Sequence, residues 1–308
     1  MLEGFFLRRP VETDIENVLA LMIRCDIRDV GFPDSDLTDL RYDWSQIDLS
    51  RDAWIAIDAK GEVRGYGTVL PWGTGKRLAI YDDPGTEQSE MFLGLLLLCE
   101  GRASAVIEQG EPGKGRDIVT HISNSALGQQ AVLEKWGYHS ARHIFNMHRD
   151  LTDELITPDL PPTVIIRPAV PEQDIRPIYE LIQTAFDWRD RQIQPFEEWK
   201  TFMLREDSFE PGLWILAEAT GEVIGACLCL PFDDIGWIRQ FAVKKEWRKQ
   251  GIGRGLLQHA FQTFKQRNYQ KAGLSVEGDN PEACRFYERL GMTRAVHLIE
   301  YVKMDQPT

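Results

Sequence analysis

A basic, glycine-rich segment is the sharpest chemical signal in this sequence. It spans Val243–Gly255 and joins an apolar, strand-like run to an amphipathic, helix-like run. Glycines allow a close backbone approach, and the free N–H groups and dipole of a helix N-terminus favour an anion. Arg248, Lys249 and Arg254 add positive charge in a chain that is otherwise acidic. The segment predicts a pyrophosphate cradle; the alternative is a glycine-rich turn with solvated charges.

Two better-known phosphate-binding motifs are excluded. A dinucleotide fingerprint that starts at Gly251 needs a glycine at the position that Leu256 occupies. A P-loop needs Gly-Lys-Ser/Thr after four spacer residues, and no such triplet follows. The identity of the anion therefore depends on what else accompanies the segment.

A second set of polar residues follows in the same half of the chain. An apolar run that begins at Leu274 leads to Asn280-Pro281, with Ala283 and Tyr287 spaced behind it. Asn280-Pro281 can simply cap a helix, and Tyr287 can be a packed ring with its hydroxyl at the surface. A phenol with a pKa of about 10 can also donate a proton to a departing thiolate.

Together the two patterns resemble the signatures of the GNAT acyltransferase superfamily. The first is Arg248-x-x-Gly-x-Gly behind an apolar strand; the second is a strand leading to Asn280, then Ala, then Tyr, then Gly291-Met. The resemblance covers nearly all of Val164–Lys303. It implies an acetyl-CoA-dependent N-acetyltransferase in which a primary amine attacks the thioester directly in a ternary complex, without a metal.

The resemblance implies a role for each matching position. The backbone of Phe241, Ala242 and Val243 would pair with the pantetheine arm and polarise the thioester carbonyl. The pyrophosphate would contact Arg248, Lys249, Gln250, Gly251, Ile252 and Gly253, with Arg254 and Gly255 extending the cradle. Asn280 would hydrogen-bond the pantetheine arm, and Tyr287 would be the general acid that protonates CoA.

The general base is harder to assign. An alkylammonium group must lose a proton before its nitrogen can attack a thioester. Relatives often carry an acidic residue on the strand before the cofactor loop, and here that position falls at Trp237. The replacement that we predict as catalytic is Glu277, near the end of the next strand; Asp233 and Asp234 in the preceding turn are alternatives. Each can equally be a solvated surface carboxylate, with a chain of water molecules as the base.

The chain also repeats itself. The segment Trp54–Gly65 matches Trp214–Gly225 at a constant offset, and Arg9-Pro10 recurs as Arg167-Pro168. A Pro-rich junction, Thr157–Pro162, separates the copies. We therefore predict two domains, 1–155 and 163–308, in a layout that resembles the tandem-GNAT group of mycothiol synthase-like proteins.

The first copy lacks the features that carry the chemistry. Its equivalent of the basic loop is the acidic segment Asp82–Glu90, and Leu133 stands where the second copy has Tyr287. Negative charge at this position repels a pyrophosphate. The first domain is therefore expected to be degenerate and not competent to bind CoA, and to buttress the second domain and wall the acceptor pocket.

The secondary-structure pattern predicts the elements that position these residues. In the second copy, alternating apolar residues indicate strands, and apolar stripes with helical spacing indicate helices. The predicted fold is α/β with a mixed (α+β) sheet, as two tandem acyl-CoA N-acyltransferase folds. Its predicted elements are Val164–Arg167, Pro171–Phe186, the hairpin Trp214–Leu230, Ile235–Val243, Gly251–Arg267, Ala272–Val276, Pro281–Leu290 and Ala295–Met304.

Composition excludes several other classes of protein. The 308 residues include 35 Lys and Arg against 48 Asp and Glu, a net charge of −13, which disfavours nucleic acid as a partner. No apolar run approaches the roughly 20 residues of a membrane span, and no signal peptide is evident. Five irregularly spaced cysteines predict no disulfide framework and a cytoplasmic location. His139, His143 and His148 alternate between strand faces, so no shared metal is predicted.

The acceptor is the least defined part of the prediction. Aromatic and acidic residues after the first helix of the second copy could receive a cationic amine, or could be ordinary packing beside a solvated face. They are Trp188, Phe196, Trp199, Asp187, Asp190, Glu197 and Glu198. A small-molecule amine is the expected acceptor, and a monomer or weak homodimer the expected state. The alternatives are a non-catalytic acyl-CoA-binding module and a protein N-acetyltransferase whose first domain docks a partner.

Overall fold

A computed structural model describes residues 4–85, 88–109, 116–152, 160–185, 195–204, 209–232 and 234–304. The predicted residues Asp187, Trp188, Asp190 and Asp233 lie outside this part of the chain, as does the first half of the Pro-rich junction, residues 157–159. The predicted mixed α/β fold is observed, and the strands and helices follow in the predicted order.

The first half of the chain contains six strands and five helices in its described part. They are β1 (Phe6–Arg8), α1 (Ile15–Asp29), α2 (Leu37–Ser45), α3 (Leu49–Asp52), β2 (Ala53–Ile57), β3 (Val63–Trp72), β4 (Gly75–Asp82), α4 (Gln88–Glu108), β5 (Asp117–Ser123), α5 (Leu127–Lys135) and β6 (His139–Asp150).

The second half repeats the pattern. Its described elements are β7 (Val164–Pro168), α6 (Pro171–Ala185), α7 (Phe196–Met203), β8 (Trp214–Ala219), β9 (Glu222–Phe232), β10 (Ile235–Val243), α8 (Ile252–Gln266), β11 (Lys271–Glu277), α9 (Pro281–Glu288) and β12 (Thr293–Met304). The repeat detected in the sequence corresponds to two hairpins, β2–β3 and β8–β9.

The chain divides into two compact units that do not follow a single cut in the sequence. One comprises Met1–Phe145, Glu277–Asp279 and Val296–Thr308; the other comprises Asn146–Val276 and Asn280–Ala295. Two long strands therefore contribute to both units, because β6 changes unit after Phe145 and β12 changes unit after Ala295.

The first unit is a sheet covered by helices on both faces. Its strands lie in the order β1-β2-β3-β4-β5-β12-β6, and β4 and β5 run parallel. One apolar core contains residues of α1 and α2, including Val18, Leu21 and Trp44. A second core contains residues of α4 and α5, including Phe92 and Leu133.

The second unit has the same plan. Its strands lie in the order β12-β6-β11-β10-β9-β8-β7, with β10 and β11 parallel and the β8–β9–β10 pairs antiparallel. One core joins the sheet to α6 and α7 around Trp199 and Trp214. The predicted apolar stripe of α8 is buried over its whole length, from Ile252 to Phe264, as expected for a helix that covers a sheet.

Three further findings concern the described surface and side chains. No helix in the described residues is long and apolar enough to cross a membrane. All five cysteines lie in the described residues, are buried and form no disulfide bond; Cys227 and Cys229 share one face of β9 as predicted. No group of three or more His, Cys, Asp or Glu in the described part of the chain is arranged to hold a metal ion.

Candidate active site

The two central strands of the second unit separate where the sequence predicts the thioester. β10 pairs with β11 only from Ile235–Lys271 to Ile238–Leu274. Beyond that point β10 continues to pair with β9 as far as Val243, after a one-residue bulge at Arg239. The backbone of residues 240–243 is therefore bonded along its β9 side, and its other edge faces a gap between the two strands. An extended arm with amide groups can pair with such an edge.

The loop that leaves β10 is held to the strand by its own side chain. Arg248 donates from Nε to the carbonyl of Val243 at 3.0 Å, across the short turn Lys245–Trp247. Lys249 then has a left-handed backbone, with φ of 62°, and Gly251 follows with φ of 83°. These two left-handed residues turn the chain from the strand into α8, and glycine is the residue that adopts this conformation without strain.

The start of α8 has no internal cap. Gly251 is the N-cap, no side chain bonds to the first turn, and the first turn contains no acidic residue. The first intrahelical bond of this turn runs from Gly255 N–H to the carbonyl of Gly251 at 2.9 Å. Among the described residues, none accepts a hydrogen bond from the N–H groups of 249–254. Six successive amides and the positive end of the helix dipole are thus available to an anion.

The predicted cofactor residues divide into an exposed set and a buried set. Arg248, Lys249, Gln250, Gly251 and Arg254 are exposed, so their charges and amides can reach a ligand. Ile252 is buried in the core and can offer only its backbone. Gly255 has its N–H bonded within the helix, and a Cβ there would lie 2.8 Å from Leu160, so Gly255 serves close packing of α8.

An aromatic wall lies beside the loop. The rings of Phe241 and Phe286 are stacked, with centroids 6.1 Å apart, and the Phe241 ring meets Tyr287 edge-on at 6.4 Å. A Cβ on Gly253 would lie only 3.3 Å from Phe241 and 3.4 Å from Phe286. Glycine at 253 therefore lets the first turn of α8 approach these rings. Phe286 was not predicted from the sequence, although it directly precedes Tyr287.

Tyr287 lies on α9, beside the aromatic wall. The residue is half-buried, and its hydroxyl forms no hydrogen bond with any described residue. Burial raises the pKa of Tyr287 above its ordinary value, and the nearby thiols of Cys227 and Cys284 add to the effect. The phenol is therefore protonated at neutral pH, as a general acid must be before it reacts.

Asn280 forms the cap that its position beside a proline predicts. Its Oδ1 accepts a hydrogen bond from the N–H of Ala283 at 3.1 Å, and Pro281 occupies the first turn of α9. This use of Oδ1 orients the side-chain amide group, whose Nδ2 remains a donor for a ligand. Capping and ligand binding are thus compatible roles for Asn280.

Trp237, at the position where relatives carry an acidic residue, and Glu277, the predicted general base, lie in different surroundings. Trp237 packs its ring against Gly273, where a Cβ would lie 2.6 Å from the ring, and edge-on against His148 at 6.2 Å. Glu277 ends β11, belongs to the first unit, and lies 3.8 Å from Arg142. Trp237 therefore fills a packing position, and Glu277 keeps a partly exposed carboxylate beside a guanidinium group.

The acidic loop of the first unit forms its own ion pairs. Asp82 and Asp83 are both buried at the end of β4. Asp83 lies 2.7 Å from Arg24, and Asp82 accepts hydrogen bonds from Gln129 and lies 3.5 Å from Arg28. The sequence predicted repulsion of a cofactor at this position; it did not predict that the acids pair with arginines of α1.

Trp199, one of the aromatic residues proposed near the acceptor, is part of the core. Trp199 is buried, packs against Tyr179, and donates weakly from Nε1 to Gln240 at 3.3 Å. Glu197 and Glu198 are exposed on the first turn of α7. Ordinary packing beside a solvated face is thus what the structure shows for these three residues.

Comparison with known proteins identifies a family that this sequence resembles. The sequence model of the acetyltransferase (GNAT) family matches residues 175–292, which include β10, the glycine-rich loop, Asn280 and Tyr287. A mycothiol acetyltransferase of Kineococcus radiotolerans is 27% identical over 249 residues, which cover 78% of each chain.

Solved structures support the duplicated layout. A GCN5-related N-acetyltransferase from Sphaerobacter thermophilus has a TM-score of 0.88 and 27% identity, covering 99% of this chain and 97% of that one. A tandem GNAT protein from the clavulanic acid biosynthesis pathway has a TM-score of 0.75 over 99% of both chains; at 14% identity this likeness shows the fold alone. The predicted tandem GNAT fold is confirmed. Residues 175–292 therefore form an acetyltransferase domain of the GNAT family, and the protein is an N-acetyltransferase.

Proposed function

We propose that this protein transfers the acetyl group of acetyl-CoA to the primary amine of a small molecule. The donor binds along the free edge of β10 and over the loop 248–254, and the amine attacks while both substrates are bound. Asn280 supports the pantetheine arm through its amide, and Tyr287 returns a proton to the departing CoA.

One observation carries this proposal. The free edge of β10 at residues 240–243 leads directly into the six N–H groups of 249–254 that have no acceptor among the described residues. An extended arm with peptide-like groups, ending in a pyrophosphate, matches this order of donors and acceptors.

The chemistry follows from the groups at the gap. The nitrogen lone pair attacks the thioester carbon, and the carbonyl oxygen gains negative charge, which a backbone N–H of the β10 edge can stabilise. The C–S bond then breaks, and the sulfur leaves as a thiolate. Tyr287, whose raised pKa keeps its proton in place until this step, protonates the sulfur and yields free CoA. The amine loses one proton, so a base or water must accept it.

The proposal is tested by titrating acetyl-CoA and CoA into the full chain by calorimetry. The loop variant combines Arg248→Glu with Gly251→Asp. The control is Lys265→Glu, which reverses one positive charge, as Arg248→Glu does, at the opposite end of α8, about 20 Å from the loop. We expect one site per chain in the wild-type and control proteins, and no binding in the loop variant.

Thiol release measured with a panel of small amines then tests turnover. Amine-dependent release of CoA is expected from the wild-type protein and not from the loop variant. Binding without release for any amine would identify a binding module in place of an enzyme of this specificity. Unchanged binding in the loop variant would remove the cofactor assignment of residues 248–254.

A further inference from the structure

The strands of the second unit present different groups on their two faces where β10 and β11 separate. Beyond that point Phe241 faces α8 and α9, and its ring meets Tyr287 edge-on. Gln240 faces the other way, towards α7, where it accepts a hydrogen bond from Trp199. Because the proposed general acid and the aromatic wall occupy the first face, the amine must reach the thioester from the second. We call the face that carries Gln240 the acceptor face.

Gln240 can offer one end of its side-chain amide to a ligand on the acceptor face. Trp199 is 1% exposed, and a buried indole N–H needs an acceptor. Oε1 of Gln240 is that acceptor, at 3.3 Å, so the other end of the amide, Nε2, is left for a different partner. Nε2 forms no hydrogen bond with any residue that the structure describes, and solvent reaches it. An amide nitrogen only donates, so its partner must be an oxygen or another acceptor atom.

Ser275 lies on the same face, on β11. Gly236 of β10 lies against Phe264 of α8. The next residue, Trp237, therefore points to the acceptor face, where its ring covers Gly273 of β11. Ser275 is two residues beyond Gly273, so its side chain shares this face, and it is exposed. It also lies one position beyond the last pair of β10 and β11, which places it where the strands separate.

A buried asparagine determines how Ser275 can bond. The hydroxyl of Ser275 donates to Oδ1 of Asn146, on the neighbouring strand β6, at 2.6 Å. Asn146 is buried, and its side chain makes no other hydrogen bond within the described part of the chain. A serine has a single O–H, and here Asn146 takes it, so the oxygen offers only lone pairs to a ligand. Ser275 therefore accepts where Gln240 donates.

We propose that Ser275 and Gln240 hold the acceptor, and that the acceptor is an amine with a hydroxyl or carbonyl oxygen near its nitrogen. Ser275 accepts a hydrogen bond from an N–H of the attacking nitrogen, and Gln240 donates from Nε2 to the oxygen. This inference rests on the proposed acetyl transfer and specifies its substrate class. A plain alkylamine lacks the oxygen and is a poorer acceptor.

The two contacts act at different stages of the reaction. The nitrogen forms a bond to the thioester carbon and carries a positive charge until it loses one proton, which passes to water at the exposed side of Ser275. An N–H on a charged nitrogen is a stronger donor, so the contact with Ser275 strengthens towards the transition state. The oxygen does not react, so Gln240 binds substrate and transition state equally. Ser275 therefore contributes to kcat, and Gln240 to KM.

Matched pairs of amines test the substrate class. Ethanolamine is compared with n-propylamine, and glycinamide with isobutylamine, by thiol release at saturating acetyl-CoA. Rates are expressed per concentration of free base, which removes the difference in basicity within each pair. We expect kcat/KM to favour the oxygenated amine of each pair by roughly threefold to tenfold, as expected for one hydrogen bond.

Gln240→Glu keeps an acceptor for Trp199 and replaces the donor Nε2 by an oxygen. KM for the oxygenated amines should rise by roughly tenfold, because two oxygens then face each other, with little change in kcat. KM for the alkylamines should not rise. The matched control is Gln266→Glu, at the exposed last residue of α8, which should leave every constant unchanged. A preference for oxygenated amines that survives Gln240→Glu would remove Gln240 from the acceptor site.

Ser275→Thr and Ser275→Val test the second contact, since the two side chains have nearly the same shape and only threonine has a hydroxyl. The valine variant should lower kcat by roughly threefold to tenfold for every amine, and the threonine variant should keep most of kcat. The control is Ser140→Ala, an exposed serine on β6, which should have no effect. Equal kcat in the threonine and valine variants would remove Ser275 from the acceptor site.

The outcomes separate this inference from the proposed function. Equal kcat/KM for oxygenated and plain amines in the wild-type protein would overturn the inference while acetyl transfer stands. Absence of CoA release with any amine would count against the proposed function itself, and the inference would fall with it. For the variants, retained binding of acetyl-CoA shows that the protein is folded.

Discussion

Asp83 and Lys244 occupy equivalent positions in the two halves of the chain and carry opposite charges. The N–H of Asp83 donates to the carbonyl of Arg64 at 2.8 Å, and the N–H of Lys244 donates to the carbonyl of Ile224 at 2.9 Å. Each residue directly follows a central strand, β4 or β10, at the entrance to the loop. The backbone of the duplicated fold is thus retained at this point while the charge of the side chain is reversed.

This reversal leads to a prediction about the number of cofactor sites. Two arginines beside the first-unit loop, Arg24 and Arg64, already pair with Asp83, at 2.7 and 3.3 Å. No net positive charge is left there for a pyrophosphate. We expect calorimetry to give one acetyl-CoA site per chain. A second site, or binding that persists after Arg248→Glu/Gly251→Asp, would show that the first unit also binds the cofactor.

Asp82 should make the stability of the protein depend on pH. Burial raises the pKa of Asp82 to about 6, against the opposing charge of Arg28. A carboxyl group whose pKa is higher in the folded than in the unfolded state binds more protons when folded. Its contribution to the free energy of unfolding therefore falls as the pH rises from about 4 to about 6.

The substitution Asp82→Asn removes that dependence and keeps an acceptor for Gln129. The free energy of unfolding of the variant minus that of the wild type should be larger at pH 7.5 than at pH 5, by about 1 kcal/mol. Urea unfolding at the two pH values measures the difference. The exposed Asp117→Asn serves as control and should show no such change. If the free energies of unfolding of the variant and the wild type differ by the same amount at both pH values, the raised pKa of Asp82 is contradicted.

Tyr287→Phe tests the proposed general acid. The variant keeps the ring contacts with Phe241 and Phe286 and loses only the hydroxyl, so acetyl-CoA binding should be unchanged. We expect kcat to fall by roughly 100-fold, which is typical for removal of a general acid. The control is Tyr269→Phe, whose ring packs on Phe264 away from the loop. Full turnover in Tyr287→Phe at every pH would remove Tyr287 from the mechanism.

The features that the sequence predicts well are local. The stripe of α8 and the strand Ile235–Val243 were predicted within a residue of their observed bounds, because apolar periodicity reports which face of an element is buried. The hairpins were found through the repeat of Trp54–Gly65. Asn280 was recognised as a cap because asparagine followed by proline is a typical start of a helix.

The features that escaped prediction depend on residues distant in the sequence. Arg142 and Glu300 are 158 residues apart, and only the pairing of β6, β12 and β5 brings them and His121 into one row. That β6 and β12 each pass from one unit into the other also leaves no local pattern in the sequence, since each is an ordinary alternating strand. The bulge at Arg239 depends on the register with β9, which periodicity alone does not fix.

Gly251 offers a test of whether the loop backbone itself binds the cofactor. Gly251 and Gly221 have nearly the same left-handed φ, 83° and 80°, but Gly221 lies in the β8–β9 hairpin turn. An alanine at either position is strained by about 1–2 kcal/mol. Both Gly251→Ala and Gly221→Ala should therefore lower the free energy of unfolding by similar amounts in urea.

Only Gly251→Ala should weaken acetyl-CoA binding, because relief of its strain shifts the backbone of the loop and with it the N–H groups of 249–254. We expect a loss of roughly tenfold or more in affinity by calorimetry, against no loss for Gly221→Ala, since each lost charge-assisted hydrogen bond costs more than 1 kcal/mol. Equal affinities in the two variants would mean that side-chain charge, and not the arrangement of the amides, holds the pyrophosphate.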